Sequence, residues 1–277
     1  MVIAVTNLKG GVGKTTITTN LAVCFANMGK KVCIVDTDLS QKSSMEWAGS
    51  RDESAAKVAV FGVTEKQLNK EVEGLRKDYD LIFIDGTPQL AELASRMILA
   101  SDIVLVPLSP SIYDFRSFES FLQKYEQVKA VKENIAKMEA YVIVNRVIES
   151  ANVSKEIQEA LGEYDIKSMN TKIANRVAYA DSATQGLGVV EYKDKKAKDE
   201  MRSEYKRSDF ARLERGKFYA EVAKGTTVVL LSPKNAKAFP TSQAVNDALA
   251  GLLTLGKQPS RITRRSARTR AKAARAG

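Results

Sequence analysis

The sequence contains no histidine. That removes the Ser-His-Asp triad, the Cys-His nucleophile pair, the imidazole zinc site and the imidazole acid-base relay from what this chain can do alone. Its chemistry must run on lysine, carboxylate, hydroxyl and backbone groups. Cysteine is nearly absent as well. Cys24 and Cys33 cannot build a disulfide framework or a four-thiolate cluster within one subunit, although a symmetric dimer could pool four thiols. The opening run Val2-Ile3-Ala4-Val5 is cut short by Asn7, Lys9 and glycines, well under the roughly 7 to 15 apolar residues of a secretory leader core. No apolar stretch approaches the roughly 18 residues of a spanning helix. The expectation is a soluble cytoplasmic protein with reduced thiols and no membrane attachment.

Acidic residues are scarce in one part of the chain only. Of the net charge of +10, residues 1–190 contribute 22 Lys+Arg against 24 Asp+Glu, and residues 191–277 contribute 21 against 9. From Lys257 to Gly277 there are eight basic residues, Arg261, Arg264 and Arg265 among them, and no acid. Such a tail either seeks a polyanion or serves as a solvated solubility extension.

The 277 residues suffice for one large domain with a small appendage. Near-continuous apolar runs at Val2–Thr6, Val32–Val35, Leu81–Ile84, Ile103–Val106 and Tyr141–Val144 are what strands buried on both faces of a parallel sheet require. Segments with helical spacing lie between them, for example Phe118, Phe121, Leu122, Tyr125 and Val128. The alternation predicts a doubly wound α/β fold whose ligands bind beyond the carboxyl ends of the strands.

The first such end carries Lys9-Gly10-Gly11-Val12-Gly13-Lys14-Thr15-Thr16, between a strand and a helix expected over about Thr15 to Met28. Glycines let successive backbone N–H groups turn inward around phosphate oxygens, and the helix N-terminus adds its positive end. Lys14 would pair with the β- and γ-phosphates and Thr15 would ligate Mg²⁺. Leu8 stands where the usual P-loop pattern has its first glycine, and Lys9 is an extra lysine. In these respects the sequence resembles the deviant Walker A ATPases of the ParA/MinD group, and more closely the short ParA-like partition ATPases. The resemblance implies ATP as nucleotide, a dimer formed on ATP, and Lys9 as the lysine that reaches the partner's phosphates.

Further segments extend the likeness over about residues 1–192. Val32 to Asp38 reads VCIVDTD; by resemblance Asp36 supports the Mg²⁺ shell and Asp38 positions the attacking water. Leu39-Ser40-Gln41 replaces the family's usual Pro-Gln after the second aspartate. Asp80 to Pro88, DLIFIDGTP, is similar to a Walker B strand, with Asp85 holding Mg²⁺ through water. A lone strand-end carboxylate is equally a helix cap, but three facing one P-loop favour a metal. Ala100 to Pro110, followed by Tyr113-Asp114, resembles the family's next strand and the loop beside the nucleotide, which places Pro107 there. Val142 to Arg146 resembles the strand whose end meets adenine, and assigns Asn145 and Arg146 to the base. The lone Asn-Lys pair, Asn69-Lys70, lacks the aspartate of a guanine-reading Asn-Lys-x-Asp motif.

The family likeness further implies DNA binding without sequence preference and a ParB-like or small centromere-binding partner that stimulates hydrolysis, hence a nucleoid-associated location. Lys172, Arg176, Lys193, Lys195, Lys196, Lys198, Arg202, Lys206 and Arg207 could meet DNA phosphates. Interspersed acids allow a merely solvated helix instead. Expected domains are the ATPase at 1–207, a small β-α-α module at 208–256 and a basic tail at 257–277. Within the module, a strand at 226–231 and helices at 233–239 and 241–255 have the order of a ribbon-helix-helix unit; dimerisation or docking is the competing reading. A membrane-targeting ATPase of the MinD kind would need a C-terminal helix with bulky apolar residues, and Arg261 to Gly277 offers only Ile262 and alanines. A dimeric iron-sulfur ATPase would need Cys24 and Cys33 as ligands.

Overall fold

The computed structural model describes residues 1–88, 91–132, 138–148, 153–203 and 244–245. The chain divides into two units, Met1–Lys224 and Gly225–Gly277. In the second, Ala244 and Val245 are described and are helical, inside the helix expected over 241–255. The expected strand at 226–231, the helix at 233–239 and the basic tail, with Arg261, Arg264 and Arg265, lie outside the described residues, as do Lys206 and Arg207.

The first unit is built on strands β1 (Val2–Val5), β2 (Val32–Asp36), β3 (Val58–Gly62), β4 (Leu81–Asp85), β5 (Ile103–Leu108), β6 (Glu139–Val144) and β7 (Lys167–Ser168). All pair in parallel, in the order β3-β2-β4-β1-β5-β6-β7. Helices α1 (Lys14–Asn27), α2 (Ser43–Gly49), α3 (Leu68–Leu75), α4 (Ala91–Ala100), α5 (Ile112–Lys132), α6 (Val153–Leu161), α7 (Val177–Thr184) and α8 (Lys195–Ser203) complete it. This is the doubly wound fold expected. Edge strand β7 escapes the apolar-run criterion because its two residues are polar and exposed; edge strand β3, VAVFG, meets the criterion yet is not among the expected strands, and its residues are half buried or exposed.

Alternate strand residues feed opposite faces, as the two-residue period of a strand demands. Ile3, Val5, Ile34, Phe83, Leu105 and Ile143 pack against Ile17, Leu21 and Phe25 of α1 and against Ala178, Ala197 and Met201 of α7 and α8. On the other face Val104, Val106, Val142 and Val144 meet Phe118, Phe121, Leu122, Tyr125 and Val128 of α5, the helical stripe expected from spacing. Val35, Ile82 and Ile84 meet Leu68, Val72 and Met97. Both cysteines are buried and free, and burial pushes the Cys33 thiol up to about 12 and the Cys24 thiol upward. These are surroundings of small apolar residues rather than of metal-ligating thiolates.

The register gathers the reactive ends. Asp36 pairs with Asp85 across β2 and β4, and Val5 pairs with Asp85 and Leu105. The loop leaving β1 therefore emerges between two carboxylates on one side and the end of β5 on the other. Among the described residues, no helix is long and apolar enough to cross a membrane.

Candidate nucleotide-binding site

Two residues of the glycine loop adopt left-handed backbone, Gly11 at φ +76° and Gly13 at φ +94°, conformations that a Cβ disfavours. Gly13 caps α1, and its carbonyl accepts the Ile17 N–H at 2.9 Å. No acid occupies the first turn of α1, so the positive end of the helix faces the loop unopposed. The loop is tied at both ends to the neighbouring strands. Asn7, fully buried, donates from Nδ2 to the Pro107 carbonyl at 2.8 Å and accepts the Lys9 N–H at 3.1 Å. Asn145 donates from Nδ2 to the Val12 carbonyl at 2.8 Å.

Lys14 closes the cradle from inside. Its Nζ donates to the Lys9 carbonyl at 2.7 Å, which holds the ammonium over the loop that would wrap phosphate. Burial lowers its pKa to about 8, against the pull of the carboxylates of Asp85 and Asp38. A buried cation whose hydrogen bond goes to a neutral carbonyl is poised for an anion.

The three expected carboxylates do come together. Asp85, 3 % exposed, accepts the Ser44 hydroxyl at 2.7 Å and the Thr18 hydroxyl at 3.4 Å, and is also hydrogen-bonded by Thr15. Burial raises its pKa to about 6, and the neighbouring Asp36 charge adds to the rise. Asp36 accepts backbone N–H groups of Asp38, Ser44 and Met45 at 2.9, 3.1 and 3.3 Å, yet burial still lifts its pKa. Two adjacent carboxylates pushed toward protonation, beside the Thr15 hydroxyl, form an all-oxygen donor set suited to a hard dication. Among the described residues no group of three or more Asp, Glu or Cys side chains is placed to hold a metal ion.

Asp38 differs from its neighbours. Burial works against its ionisation, but hydrogen bonds from the Ser40 hydroxyl, the Gln41 N–H and the Thr87 hydroxyl outweigh it and hold its carboxyl below the usual range. Thr87 follows the Walker B-like strand, so Asp38 connects the two carboxylate segments. Ser40 donates to Asp38 at 2.5 Å.

The remaining expected residues divide. Lys9, its side chain 44 % exposed, lies 3.8 Å from Asp114 at the start of α5. Gly10 and Thr16 belong to the loop and the first turn of α1 as expected, and Pro107 is buried in β5 beneath Asn7. Arg146 is exposed at φ +58° just beyond β6. Lys193, Lys195, Lys196 and Arg202 are exposed on and before α8, whereas Lys172 and Lys198 are half buried. Arg176 turns to Glu200 instead, with bonds of 2.8 and 2.6 Å, and Glu200 also accepts the Tyr179 hydroxyl at 3.1 Å. The guanidinium thereby fastens α8 to the segment before α7.

Sequence reasoning missed the residues that hold the site in place. Ser44, Thr18, Thr87 and Asn7 belong to no spacing that announces them. It also missed a clamp behind α2. Arg51, stacked 4.8 Å over Trp47, donates to the Gly186 carbonyl at 2.6 Å and bidentately to Glu191 at 3.2 and 3.0 Å. Trp47 Nε1 reaches the Leu187 carbonyl, and the Val189 N–H reaches Asn20 of α1. Segment 186–191 thus straddles the P-loop helix and the helix that presents Ser44.

Comparison with known proteins agrees with this geometry. Residues 3–190 match the CobQ/CobB/MinD/ParA nucleotide binding domain. The chain is 24 % identical over 190 residues to Maintenance of carboxysome distribution protein A of Halothiobacillus neapolitanus, covering 68 % of this chain and 85 % of that one. It is 26 % identical over 232 residues to the Sporulation initiation inhibitor protein Soj of Bacillus subtilis, covering 69 % and 90 %. In fold it is similar to the septum site-determining protein MinD of Pyrococcus horikoshii complexed with Mg-ADP, with a TM-score of 0.58 and 22 % identity over 73 % of this chain and 93 % of that one.

Proposed function

The chain belongs to the CobQ/CobB/MinD/ParA nucleotide-binding family, and from that premise we propose that it is an ATP-dependent, dimerising ATPase that binds DNA without sequence preference and partitions or positions a cargo. The observation that carries the reading is the convergence of Lys14 with Asp36, Asp38 and Asp85 at the carboxyl ends of β1, β2 and β4. Only a ligand that is both anionic and metal-bound answers a buried cation and two destabilised carboxylates at once.

In this reading Lys14 and the loop N–H groups bind the β- and γ-phosphates, and Thr15, Asp85 and Asp36 hold Mg²⁺ directly or through water. Mg²⁺, when bound, neutralises charge that builds on the transferred phosphoryl group. Asp38, kept ionised by its donors, orients the attacking water. Lys9 exchanges its neighbour Asp114 for the phosphates of a second copy, so hydrolysis waits for the dimer. Turnover is slow until a ParB-like or small centromere-binding adaptor engages, as the family likeness implies. Arg146, exposed beyond β6, meets the base.

DNA contact falls to Lys172, Lys193, Lys195 and Lys196 and to the tail with Arg261, Arg264 and Arg265, in a protein that resides on the nucleoid in the cytoplasm. Arg176 acts behind them by holding α8 through Glu200. The names of the relatives, which speak of carboxysome distribution and sporulation, leave the cargo class to be one of plasmid, chromosome or protein assembly.

The deciding experiment measures binding to two unrelated DNA duplexes with ATP, ADP and no nucleotide, over a salt series. ATP-dependent binding of equal strength to both duplexes is expected. Removing residues 257–277 should also flatten the log-log salt slope by several units, about 0.9 for each phosphate no longer neutralised. Nucleotide-independent or absent DNA binding would refute the DNA part of the reading.

A further inference from the structure

We propose that Asn145 is a positioning residue for the phosphate loop, setting the loop's shape through Val12 and Gly13. The placement of one atom supports this. The Asn145 Nδ2 donates to the Val12 carbonyl at 2.8 Å, and the same atom lies 2.2 Å from where a Cβ on Gly13 would be, far too close for any side chain there. The amide therefore fills the space that the absent side chain leaves and fixes the carbonyl of the preceding residue. A buried carbonyl that faced away from the phosphates without this donor would lack a partner.

Asn145 is itself held. It is 4 % exposed, its backbone N–H donates to the Leu108 carbonyl at 2.8 Å, and it follows directly on β6, whose register with β5 is continuous to Leu108 and Val144. Asn7 does the equivalent work at the start of the loop by donating to the Pro107 carbonyl on β5. The loop is thus suspended from two neighbouring strands by two buried amides, one before the glycines and one behind them. A carbonyl fixed at Val12 orients the Gly13 N–H in the same stroke, because a peptide plane moves as a unit. The consequence is that Asn145, at the end of β6, serves phosphate binding whichever base is bound.

The inference rests on the nucleotide-binding reading, and its test separates the two. Binding of Mg-ATP, Mg-GTP and Mg-tripolyphosphate, which has no base, is measured by calorimetry for the wild type, Asn145→Ala and Asn145→Asp. The aspartate keeps the volume and cannot donate when ionised. The expected result is a fall of about tenfold for all three ligands, the base-free one included, the contribution of one buried hydrogen bond. Thermal unfolding without ligand identifies the variant that is folded, and the comparison uses that one. Tripolyphosphate binding at wild-type strength in that variant, whether or not ATP binding is weakened, would overturn the proposal. Failure of the wild type to bind ATP would instead refute the nucleotide reading.

Discussion

Asp36 and Asp85 are register partners on adjacent strands, and Ser44 donates to both, by its N–H to the first at 3.1 Å and by its hydroxyl to the second at 2.7 Å. One serine thus restrains two carboxylates that would otherwise repel each other at close range. Without a cation the arrangement destabilises the fold.

Asp85→Asn should therefore stabilise the nucleotide-free protein at pH 7.5 while abolishing Mg²⁺-dependent hydrolysis. The rise of the Asp85 pKa from its ordinary 3.8 to about 6 corresponds to at most about 3 kcal/mol. Below about pH 4 the carboxyl is protonated in folded and unfolded chains alike, and variant and wild type should be equally stable. Between about pH 4 and 6 the unfolded carboxyl ionises while the folded one resists, so the wild type falls progressively behind; above about 6 both are ionised and the gap is constant. Urea unfolding at pH 4, 5 and 7.5 measures it, and a gap that does not widen with pH would contradict the assignment.

Lys14→Ala should abolish Mg-ATP binding, since the buried ammonium of the cradle is removed. In the wild type at pH 8.5, above its value of about 8, Lys14 is mostly neutral before phosphate arrives. Phosphate favours the charged form, so binding should take up most of one proton. Calorimetry in buffers of different ionisation enthalpy detects this, and no uptake at pH 8.5 would place the phosphates elsewhere.

Asp38→Ala should bind ATP and remain a dimer without turning over. The residue is held ionised by Ser40, Gln41 and Thr87, none of which belongs to the phosphate cradle. Single-turnover hydrolysis should drop by a factor of about 100 or more, while nucleotide affinity changes little. Ordinary turnover would transfer the water-orienting role to another group.

Lys9→Ala should bind nucleotide normally and fail to dimerise on ATP. Asp114→Asn should do the reverse, easing dimer formation, because it releases Lys9 from the carboxylate 3.8 Å away. Sedimentation with ATP distinguishes the two, and equal dimer fractions in both variants would reduce Lys9 to a loop charge.

Arg51→Met should destabilise the fold by about 3 kcal/mol, since it leaves the nearly buried Glu191 without its bidentate partner. Adding Glu191→Gln in the same chain should recover part of that stability. Denaturant unfolding of the single and double variants gives the coupling between the two side chains.

Much of this fold was legible because its strands are buried on both faces. Val2–Val5, Leu81–Asp85 and Ile103–Leu108 declare themselves as apolar runs, and Val58–Gly62, VAVFG, an edge strand missing from those expected, is a run of the same kind, whereas the two residues Lys167–Ser168 are polar and exposed and leave no such signature. The phosphate loop was legible for a different reason: its glycines, lysine and threonines are neighbours in the chain. The partners that shape it are not. Asn145 is 133 residues from Val12, and Ser44 is 41 from Asp85, so only the folded sheet makes them a pair. Arg176 eludes a sequence reading on the same ground, because charge runs along a chain do not disclose that Glu200, 24 residues away, takes its guanidinium.

The central place of β1 has a consequence for how the protein is made. Its first strand cannot find one neighbour until residues 81–85, and the other until residues 103–108, have left the ribosome, so an apolar segment ending in an unformed phosphate loop waits while more than fifty residues are synthesised. Closing such long loops is slow, and exposed strand edges invite wrong partners in the meantime. The nucleotide motif is complete as sequence by Thr16, yet it has no sheet to stand on until β4 emerges.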